Sequence, residues 1–438
     1  MTFQRALCAA ALMGAAMTSA HAATEIQWWH SMSGVTNEWV NDLAKQFNAS
    51  QSDYKVVPTF KGTYDESMTA AIAAFRSGNA PHILQVFEVG TATMMAAKGV
   101  TVPVAKAMQD AGVAFDPKTY IPAVASYYTG PTGQMQSLPF NSSTTVMFYN
   151  KDAFKKAGLN AEQPPKTWPE LFAAIKQLKA SGNSCPMTLA WQGWTQLESF
   201  AAWHNVEFAT HQNGLAADGY KARLKINEPL FVKHIDNLAQ SVKAGEILYR
   251  GRGSQAFPSF VSGECAIVQT SSSSYGEAAQ NAKFNFGIAP MPYYDDVKGA
   301  PQNTVIGGGS LWIMAGKPAE QYKGVAKFFD FLSQPEVQSK SHQLTGYLPI
   351  TTASFKLTEA SGFYAKHPGA DVAVNQMVRK VTDKSQGVRL GNYVQIRTIE
   401  DEELEQVWFG KKSAKEALDS IVKRGDELLA RFERANNK

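Results

Sequence analysis

The fold of this chain is decided by the stretch Pro139-Phe-Asn-Ser-Ser-Thr-Thr-Val-Met-Phe-Tyr149-Asn-Lys-Asp-Ala-Phe-Lys-Lys-Ala-Gly158, which continues to Pro164-Pro-Lys-Thr-Trp168. Its β-branched and aromatic run, Thr144 to Tyr149, predicts a strand. A short amphipathic pattern from Asp152 to Ala157, closed by Gly158, predicts a helix. Thr167, followed three residues later by Glu170, indicates a capping box and therefore a second helix. Strand and helix follow each other directly, as in an α/β fold.

The polar segment Asn141-Ser-Ser-Thr144 leads into this strand. Its hydroxyl and amide groups lie at the mouth of an apolar strand, where they can donate hydrogen bonds to an anionic or hydroxylated ligand. A Ser/Thr-rich turn without a ligand is the alternative interpretation.

Three further strands are predicted upstream, at Glu25–Trp29, Tyr54–Phe60 and His82–Phe87. The last is almost continuously apolar, which is typical of a strand buried on both faces of a parallel sheet. Helices are expected between them. The first buries one face and the second is capped by Asp65; their inward residues are predicted to be Trp39, Leu43 and Phe47 in the first, and Met68, Ile72 and Phe75 in the second. This alternation indicates βαβ architecture.

Polar and aromatic residues follow each of these strands, namely His30 and Ser31, then Tyr64, then Glu88. In open α/β sheets ligands bind outside the carboxyl ends of the strands. We therefore expect these loops to form one wall of a ligand cleft. For Tyr64 and Glu88, an exposed loop position with no role is the alternative.

A length of 438 residues exceeds what one core usually supports and predicts two lobes. The chain is 44% hydrophobic and 18% charged, as expected of a globular protein that is neither disordered nor embedded in a membrane. A formal charge of +4, without a block of Lys and Arg, gives no indication of nucleic-acid binding.

The first 22 residues have the pattern of a secretory signal peptide. Arg5 precedes an apolar run from Ala6 to Met17, and Ala20-His-Ala22 matches the small residues of a cleavage site before Ala23. The run is too short to span a bilayer, which argues against an anchor. Export leaves Cys185 and Cys265 in a compartment where disulfides persist, so either a bridge or two buried thiols is expected.

The segment Trp191-Gln-Gly-Trp194 offers two indoles that could form an apolar plate for a polyol or a choline-like group. Burial in the core is the more ordinary role of tryptophan. Further on, Gly307-Gly-Gly309 forms a glycine-rich turn without the spacing of a nucleotide-binding loop. Its bare N–H groups can still contact a phosphate oxygen or a hydroxyl.

No catalytic constellation or metal-ligand spacing occurs, so we expect neither an enzyme nor a cofactor or metal. The acidic run Glu400-Asp-Glu-Glu403 is interpreted as a solvated helix face. Arg397 has a planar fork suited to phosphate, although a surface arginine is the common alternative.

The Tyr149-Asn-Lys-Asp and Pro164-Pro-Lys-Thr-Trp168 segments resemble those of extracytoplasmic solute-binding proteins of ABC importers. Over essentially the whole chain after residue 22, the sequence is similar to the periplasmic family that binds sn-glycerol-3-phosphate and glycerophosphodiesters. The segments that carry this resemblance are Trp29-His-Ser-Met32, Ala73-Ala-Phe-Arg76, Glu88-Val-Gly-Thr-Ala-Thr-Met-Met95, Phe140-Asn-Ser-Ser-Thr144, Trp191-Gln-Gly-Trp194, Thr345-Gly-Tyr-Leu-Pro-Ile350 and Arg389-Leu-Gly-Asn392 through Arg397 to Trp408.

The resemblance implies a two-lobed, type II periplasmic binding protein fold of the α/β class, each lobe a β-sheet flanked by helices with a ligand cleft between them. Residues 1–22 would be the signal peptide, 23–141 with 306–350 one lobe, and 142–305 with 351–438 the other. It also implies a set of ligand-binding residues: Tyr64, Glu88, Ser143, Trp191, Trp194, Ser271, Gly308, Tyr347 and Arg397.

In this interpretation the protein is the binding component of an ABC importer for glycerol-3-phosphate and diesters such as glycerophosphocholine. It would work as a monomer in the periplasm and deliver ligand to the membrane permease. Arg397 would supply positive charge to the phosphate, while Glu88 would accept from glycerol hydroxyls. A binding protein for a neutral oligosaccharide is the second interpretation. Which hydroxyl of Ser271–Ser274 contacts the ligand is left open.

Overall fold

The computed structural model describes residues 22–130 and 132–437. All of the predicted signal peptide except its last residue lies outside this part of the chain. The strands are β1 (Thr24–His30), β2 (Tyr54–Phe60), β3 (Ile83–Phe87), β4 (Thr101–Val102), β5 (Leu138–Ser143), β6 (Thr145–Asn150), β7 (Cys185–Leu189), β8 (Ile247–Tyr249), β9 (Cys265–Ser271), β10 (Phe286–Ala289) and β11 (Gly307–Met314).

Helices connect and cover these strands. They are α1 (Gly34–Ser50), α2 (Tyr64–Arg76), α3 (Thr91–Ala96), α4 (Val104–Asp110), α5 (Pro122–Tyr128), α6 (Lys151–Lys156), α7 (Trp168–Ala180), α8 (Ser199–Trp203), α9 (Thr210–Asn213), α10 (Pro229–Lys243), α11 (Phe257–Val261), α12 (Tyr275–Asn281), α13 (Ala319–Leu332), α14 (Pro335–Thr345), α15 (Thr352–Ala360), α16 (Phe363–Lys366), α17 (Val372–Met377), α18 (Tyr393–Trp408) and α19 (Ala414–Asn436).

The strands form two separate sheets. The first has the order β2-β1-β3-β11-β4, with β5 also paired to β11, and the second has the order β10-β6-β9-β7-β8. In the first sheet β1 runs parallel to β2 and β3, whereas β11 is antiparallel to its neighbours. Two sheets flanked by helices confirm the predicted α/β fold.

The chain passes from the first sheet to the second within the stretch from Pro139 to Gly158. Ser143 ends β5 in the first sheet and Thr145 begins β6 in the second. Between them, the Thr144 hydroxyl is 2.6 Å from the Thr304 hydroxyl and donates to the Val305 carbonyl at 2.8 Å, where the chain returns to β11. These bonds tie two crossing segments together. The assignment of whole residue ranges to lobes remains our proposal.

Two helices have the cap or the buried face that the sequence predicts. The predicted capping box at Thr167 and Glu170 is formed at the start of α7, and α1 buries Trp39, Leu43 and Phe47 as expected. The prediction for α2 was wrong at its start, because Thr63, not Asp65, caps the helix in a capping box with Glu66. Ile72 was also placed wrongly, since it is 47% exposed.

The second sheet contains a disulfide between Cys185 and Cys265. These residues begin the parallel neighbours β7 and β9, where they are direct cross-strand partners. Both side chains are fully buried. The bridge therefore joins two neighbouring interior strands of the second sheet.

Candidate functional site

A cavity of about 290 Å³ lies where strands from both sheets reach their carboxyl ends. Ser143 is the last residue of β5 and Ser271 is the last residue of β9, while Glu88 directly follows β3. This is the position that open α/β sheets use for ligands. The cavity is lined by every residue that the sequence analysis assigned to ligand binding: Tyr64, Glu88, Ser143, Trp191, Trp194, Ser271, Gly308, Tyr347 and Arg397.

Arg397 lies on the first turns of α18 and joins both sides of this cavity. Its Nη1 donates to Glu88 Oε1 at 2.7 Å, and its Nη2 donates to the Glu198 carboxylate. The side chains of Arg397 and Glu198 are 12% and 2% exposed. The guanidinium also lies 5.5 Å from the centre of the Tyr393 ring. Arg397 is thus a buried residue held between two carboxylates.

Glu198 was missed by the sequence analysis, which considered only a phosphate as the counter-charge of Arg397. It ends a π-helical turn, Trp194–Glu198, that starts at the second tryptophan of the Trp-Gln-Gly-Trp segment. The four-residue spacing from Trp194 was the available signal, since such spacing places two side chains on the same helix face. No local pattern indicated that Arg397, about 200 residues away, would meet it.

The prediction that Glu400–Glu403 is a solvated face was wrong. Glu400 is 0% exposed and Glu403 is 5% exposed. Helix α18 packs against α19, and Glu400 and Glu403 turn inward, whereas Asp401 and Glu402 stay partly exposed. Glu403 accepts hydrogen bonds from Ser420 and Arg424, each at 2.8 Å, and pairs with Lys412. Neither carboxyl oxygen of Glu400 has a hydrogen-bond partner among the described residues.

Burial controls the ionisation of this cluster. It raises the pKa of Glu198, although Arg397 opposes the shift. It raises the pKa of Glu400 well above its ordinary value, and repulsion from Glu198 adds to the effect. Burial disfavours the charged form of Arg397 as well, but Glu198 and Glu88 nevertheless raise its pKa well above the ordinary value. Arg397 therefore stays charged, while Glu400 favours its neutral form.

Two tyrosines supply neutral hydroxyls to the cavity. The Tyr64 ring stacks on Phe87 with a centroid distance of 4.9 Å, and its hydroxyl accepts from Asn141 Nδ2 at 2.9 Å. Burial raises the pKa of Tyr64 well above its ordinary value and also raises the pKa of Tyr347. Both phenols consequently remain protonated and can act as hydrogen-bond donors.

The turn into β11 brings bare backbone to the cavity wall. Gly308 has φ +84°, a left-handed conformation, and a Cβ built there would lie 1.8 Å from the Asn141 carbonyl oxygen. A Cβ at Gly307 would lie 2.3 Å from the Trp194 ring. Glycine is therefore required at both positions, at Gly308 by backbone conformation and at Gly307 by the close approach of the indole.

The two tryptophans occupy different environments, although both line the cavity. Trp194 is 4% exposed, and its Nε1–H has no partner among the described residues. Trp191 has φ 52°, which is unusual for a non-glycine residue. Trp194 is thus a packed core residue that also borders the cavity.

The serine segment contributes more than one hydroxyl. Ser271, Ser273 and Ser274 line the cavity. The Ser271 and Ser273 hydroxyl oxygens are 2.8 Å apart, and the Ser273 N–H donates to Ser271 Oγ at 3.2 Å. The structure therefore does not single out one of these serines as the ligand contact. Residues that line the cavity and were missed by the sequence analysis include Met32, Thr63 and Glu277.

Neither a metal centre nor a membrane span is found in the described part of the chain. Residues 22–130 and 132–437 contain no group of three or more His, Cys, Asp or Glu side chains arranged to hold a metal ion. Within the same ranges, no helix combines the length and the apolar character needed to cross a bilayer.

A two-lobed α/β fold with a polar, aromatic cavity at the strand ends defines a solute-binding protein. The chain belongs to the bacterial extracellular solute-binding protein family, whose model matches residues 42–371. It is a periplasmic binding protein. It is 54% identical over 428 residues to the sn-glycerol-3-phosphate-binding periplasmic protein UgpB of Yersinia enterocolitica, covering 97% of each chain. The UgpB protein of Salmonella typhi is 53% identical, covering 95% of this chain and 94% of its own.

Solved structures with the same fold are more distant in sequence. UgpB from Mycobacterium tuberculosis in complex with glycerophosphocholine is 22% identical, with a TM-score of 0.76 over 93% of this chain and 99% of that chain. Maltose-bound MalE3 of T. maritima is 17% identical, with a TM-score of 0.72 over 93% of this chain and 100% of that chain. These likenesses confirm the type II periplasmic binding protein fold.

Proposed function

We propose that this protein captures sn-glycerol-3-phosphate and glycerophosphodiesters, such as glycerophosphocholine, and delivers them to the membrane permease of an ABC importer. The observation that carries the proposal is the arrangement around Arg397. A permanently charged guanidinium lies at the wall of the cavity together with neutral hydroxyl donors. The names of two relatives, UgpB proteins at 53% and 54% identity, support the same ligand class.

The residues take distinct roles in this proposal. Arg397 supplies the positive charge from the cavity wall, where its guanidinium can donate to a phosphate oxygen. The hydroxyls of Ser143, Ser271 and Tyr347 donate to the other phosphate oxygens, as does the Gly308 N–H. Glu88 accepts from glycerol hydroxyls. Tyr64 closes one side, while Trp191 and Trp194 lie beside the glycerol moiety.

The transport role implies a binding protein and not an enzyme. Ligand held between two lobes would fix the closed arrangement, and the permease would bind the surface that closure creates. We propose a monomer with one lobe formed by 23–141 and 306–350 and the other by 142–305 and 351–438. The crossing at Thr144 and Thr304 would then belong to the hinge.

Titration calorimetry with glycerol-3-phosphate, glycerophosphocholine and maltose tests this proposal. We expect heat from both phosphate ligands and none from maltose, because a neutral sugar offers no negative charge to Arg397. Binding of maltose without either phosphate ligand would support an oligosaccharide-binding protein and contradict the proposed ligand class. Binding of the monoester alone would contradict only the diester assignment.

A further inference from the structure

We propose that Glu198 determines which ligand charge the site accepts. Its pairing with Arg397 restricts the site to a phosphate group that carries a single negative charge. Phosphodiesters then bind throughout the range around neutral pH. A phosphomonoester binds in its singly ionised form. This inference rests on the proposed function and specifies the ionisation state of its ligand.

The position of Glu198 determines how it can affect a ligand. It holds Arg397 Nη2, yet it is only 2% exposed and is not among the residues that line the cavity. Glu88 is different, because it lines the cavity and can contact the ligand directly. Glu198 therefore acts on a ligand through charge and through the orientation of Arg397. It is a positioning residue.

The charged groups around the cavity limit the negative charge that a ligand can carry. Arg397 is the one basic side chain among the described residues that line the cavity. It already faces two carboxylates, Glu88 at 2.7 Å and Glu198. Further acidic or phenolic groups interact with Arg397 or lie at the cavity, and none of them adds positive charge: Asp65, Tyr393, Glu400, Asp401, Tyr64, Tyr347 and Glu277.

Only part of the Arg397 guanidinium is left for a phosphate. Nη1 and Nη2 of Arg397 each give one N–H to a carboxylate and keep a second N–H. A phosphate at the cavity therefore shares the guanidinium with two carboxylates and otherwise meets neutral hydroxyls. A guanidinium free of Glu198 could offer two parallel N–H groups and bind a dianion in the bidentate manner.

The two types of ligand differ in the number of negative charges that they carry. A phosphate monoester takes its second negative charge with a pKa near 6, so it is mostly a dianion at neutral pH. A phosphodiester has a single ionisable proton and stays a monoanion. In a buried site, a second negative charge beside Glu88 and Glu198 is repelled strongly, since the local dielectric is low. The two ligand types consequently respond differently to pH.

The experiment compares glycerophosphocholine with glycerol-3-phosphate by calorimetry between about pH 5.5 and pH 8. The ratio of the two affinities cancels titrations that affect both ligands equally. In the wild type we expect the ratio to favour the diester by about tenfold more for each pH unit above the monoester pKa of about 6. In Glu198→Gln, which keeps the side-chain volume and an oxygen for Arg397, we expect a ratio nearly independent of pH.

Glu207→Gln is the matched control. It changes the net charge by the same amount, but Glu207 pairs with Lys225 at 2.8 Å in a partly exposed position and does not line the cavity. It should keep the wild-type pH profile. A wild-type ratio that does not change with pH overturns the inference while the proposed function stands, and so does a Glu198→Gln protein that keeps the wild-type profile. Failure of the wild type to bind either ligand at any pH overturns the proposed function itself.

A second measurement needs no variant. The phosphorus NMR shift of glycerol-3-phosphate distinguishes its monoanion from its dianion. For ligand bound to the wild type at about pH 7.5, we expect the monoanion position. A bound signal at the dianion position would overturn the inference even if Glu198→Gln failed to fold.

Discussion

Arg397 Nη1 lies 2.7 Å from Glu88 Oε1, and this ion pair joins helix α18 to the carboxyl end of β3 in the first sheet. Glu198, the second partner of Arg397, lies beside the second sheet, between β7 and α8. The guanidinium is thus a contact between the two halves of the site. Any ligand that takes a bond from Arg397 also acts on the contact that holds these halves together.

Replacing Arg397 by Ala should abolish tight binding of glycerol-3-phosphate. Loss of one partner from a buried, hydrogen-bonded charge pair typically costs about 2–5 kcal/mol of binding free energy. The same change leaves Glu88 and Glu198 buried without their cation, so the free energy of unfolding should fall by about 3–5 kcal/mol. Calorimetry and urea unfolding measure the two effects.

Arg397→Lys is the control for charge without the planar fork. It should recover only part of the affinity, because an ammonium cannot serve two carboxylates and a phosphate with the same directed N–H groups. Wild-type affinity in the alanine variant would show that the assignment of the anion to Arg397 is wrong.

Gly308→Ala should destabilise the protein and weaken ligand binding. A left-handed backbone costs a non-glycine residue about 1–2 kcal/mol, and here the added Cβ also meets the Asn141 carbonyl oxygen. Gly316→Ala separates the two effects, because Gly316 has the same φ of +84° with nothing within 4 Å of the built Cβ. Equal losses of Tm in both variants would contradict a steric role for Gly308.

Resemblance to a known family placed Ser143, Gly308 and Ser271 in the ligand site, whereas local patterns indicated only the strands and turns that carry them. Ser143, Gly308 and Ser271 all lie at the ends of strands whose patterns are visible in the sequence. The cap of α2 was placed two residues late because Thr63, Asp65 and Glu66 offer competing cap signals, and only the backbone conformation decides between them.

The Cys185–Cys265 bridge should contribute substantially to stability. The two residues are 80 positions apart. Closing a loop of this length in the unfolded chain is worth about 2–5 kcal/mol in typical proteins. The double variant Cys185→Ala/Cys265→Ala should lose about this amount in urea unfolding. Intact mass and thiol titration of protein purified from the periplasm provide the check on the wild type, and a titre of two free thiols would contradict the bridge.

Buried histidines should make the protein lose stability in acid. Burial lowers the pKa of His204 to about 4 and that of His234 well below its ordinary value. Unfolding frees both groups to bind protons at their ordinary pKa of about 6.5. Their stabilising effect is therefore complete above pH 6.5 and is lost as the pH falls towards 4, at up to about 1.4 kcal/mol per pH unit for each histidine.

His234→Phe tests this expectation while keeping an aromatic ring, since His234 stacks on Phe200 with a centroid distance of 4.0 Å. The variant should lose less stability than the wild type between about pH 6.5 and pH 4.5. His211→Asn is the control, because His211 is 33% exposed and pairs with Asp218 at the surface. An unchanged pH dependence in His234→Phe would contradict a buried neutral histidine.

The charge cluster behind the cavity shows where local patterns stop being sufficient. Glu400 lies three residues after Arg397, so helical spacing places the two on neighbouring positions of one face. Four consecutive residues of which three are Glu nevertheless favour a solvated interpretation, because ionised carboxylates are rarely buried. The burial of Glu400 follows from the packing of α19 and of the Trp194–Glu198 turn, which are distant contacts that no local pattern specifies.

Glu400→Gln should make the protein more stable at neutral and alkaline pH. Burial raises the pKa of Glu400 well above its ordinary value, so the folded protein holds a proton that the unfolded chain releases above about pH 4.5. Stability of the wild type consequently falls as pH rises above this value, by up to about 1.4 kcal/mol per pH unit until the folded-state pKa is passed. Glutamine has no such proton, and its advantage over the wild type should grow over the same range.

Glu403→Gln, one helical turn further along α18, supplies the opposite case. Burial there also opposes ionisation, but Lys412, Ser420 and Arg424 outweigh it and lower the pKa of Glu403. This variant should be less stable than the wild type at neutral pH, with the difference disappearing as the pH falls below about 4. Urea unfolding of both variants at about pH 4, 6 and 8 is decisive. Because both replacements remove one carboxylate from the same helix, a shared sign at pH 8 would show that the environments of Glu400 and Glu403 do not differ as their contacts indicate.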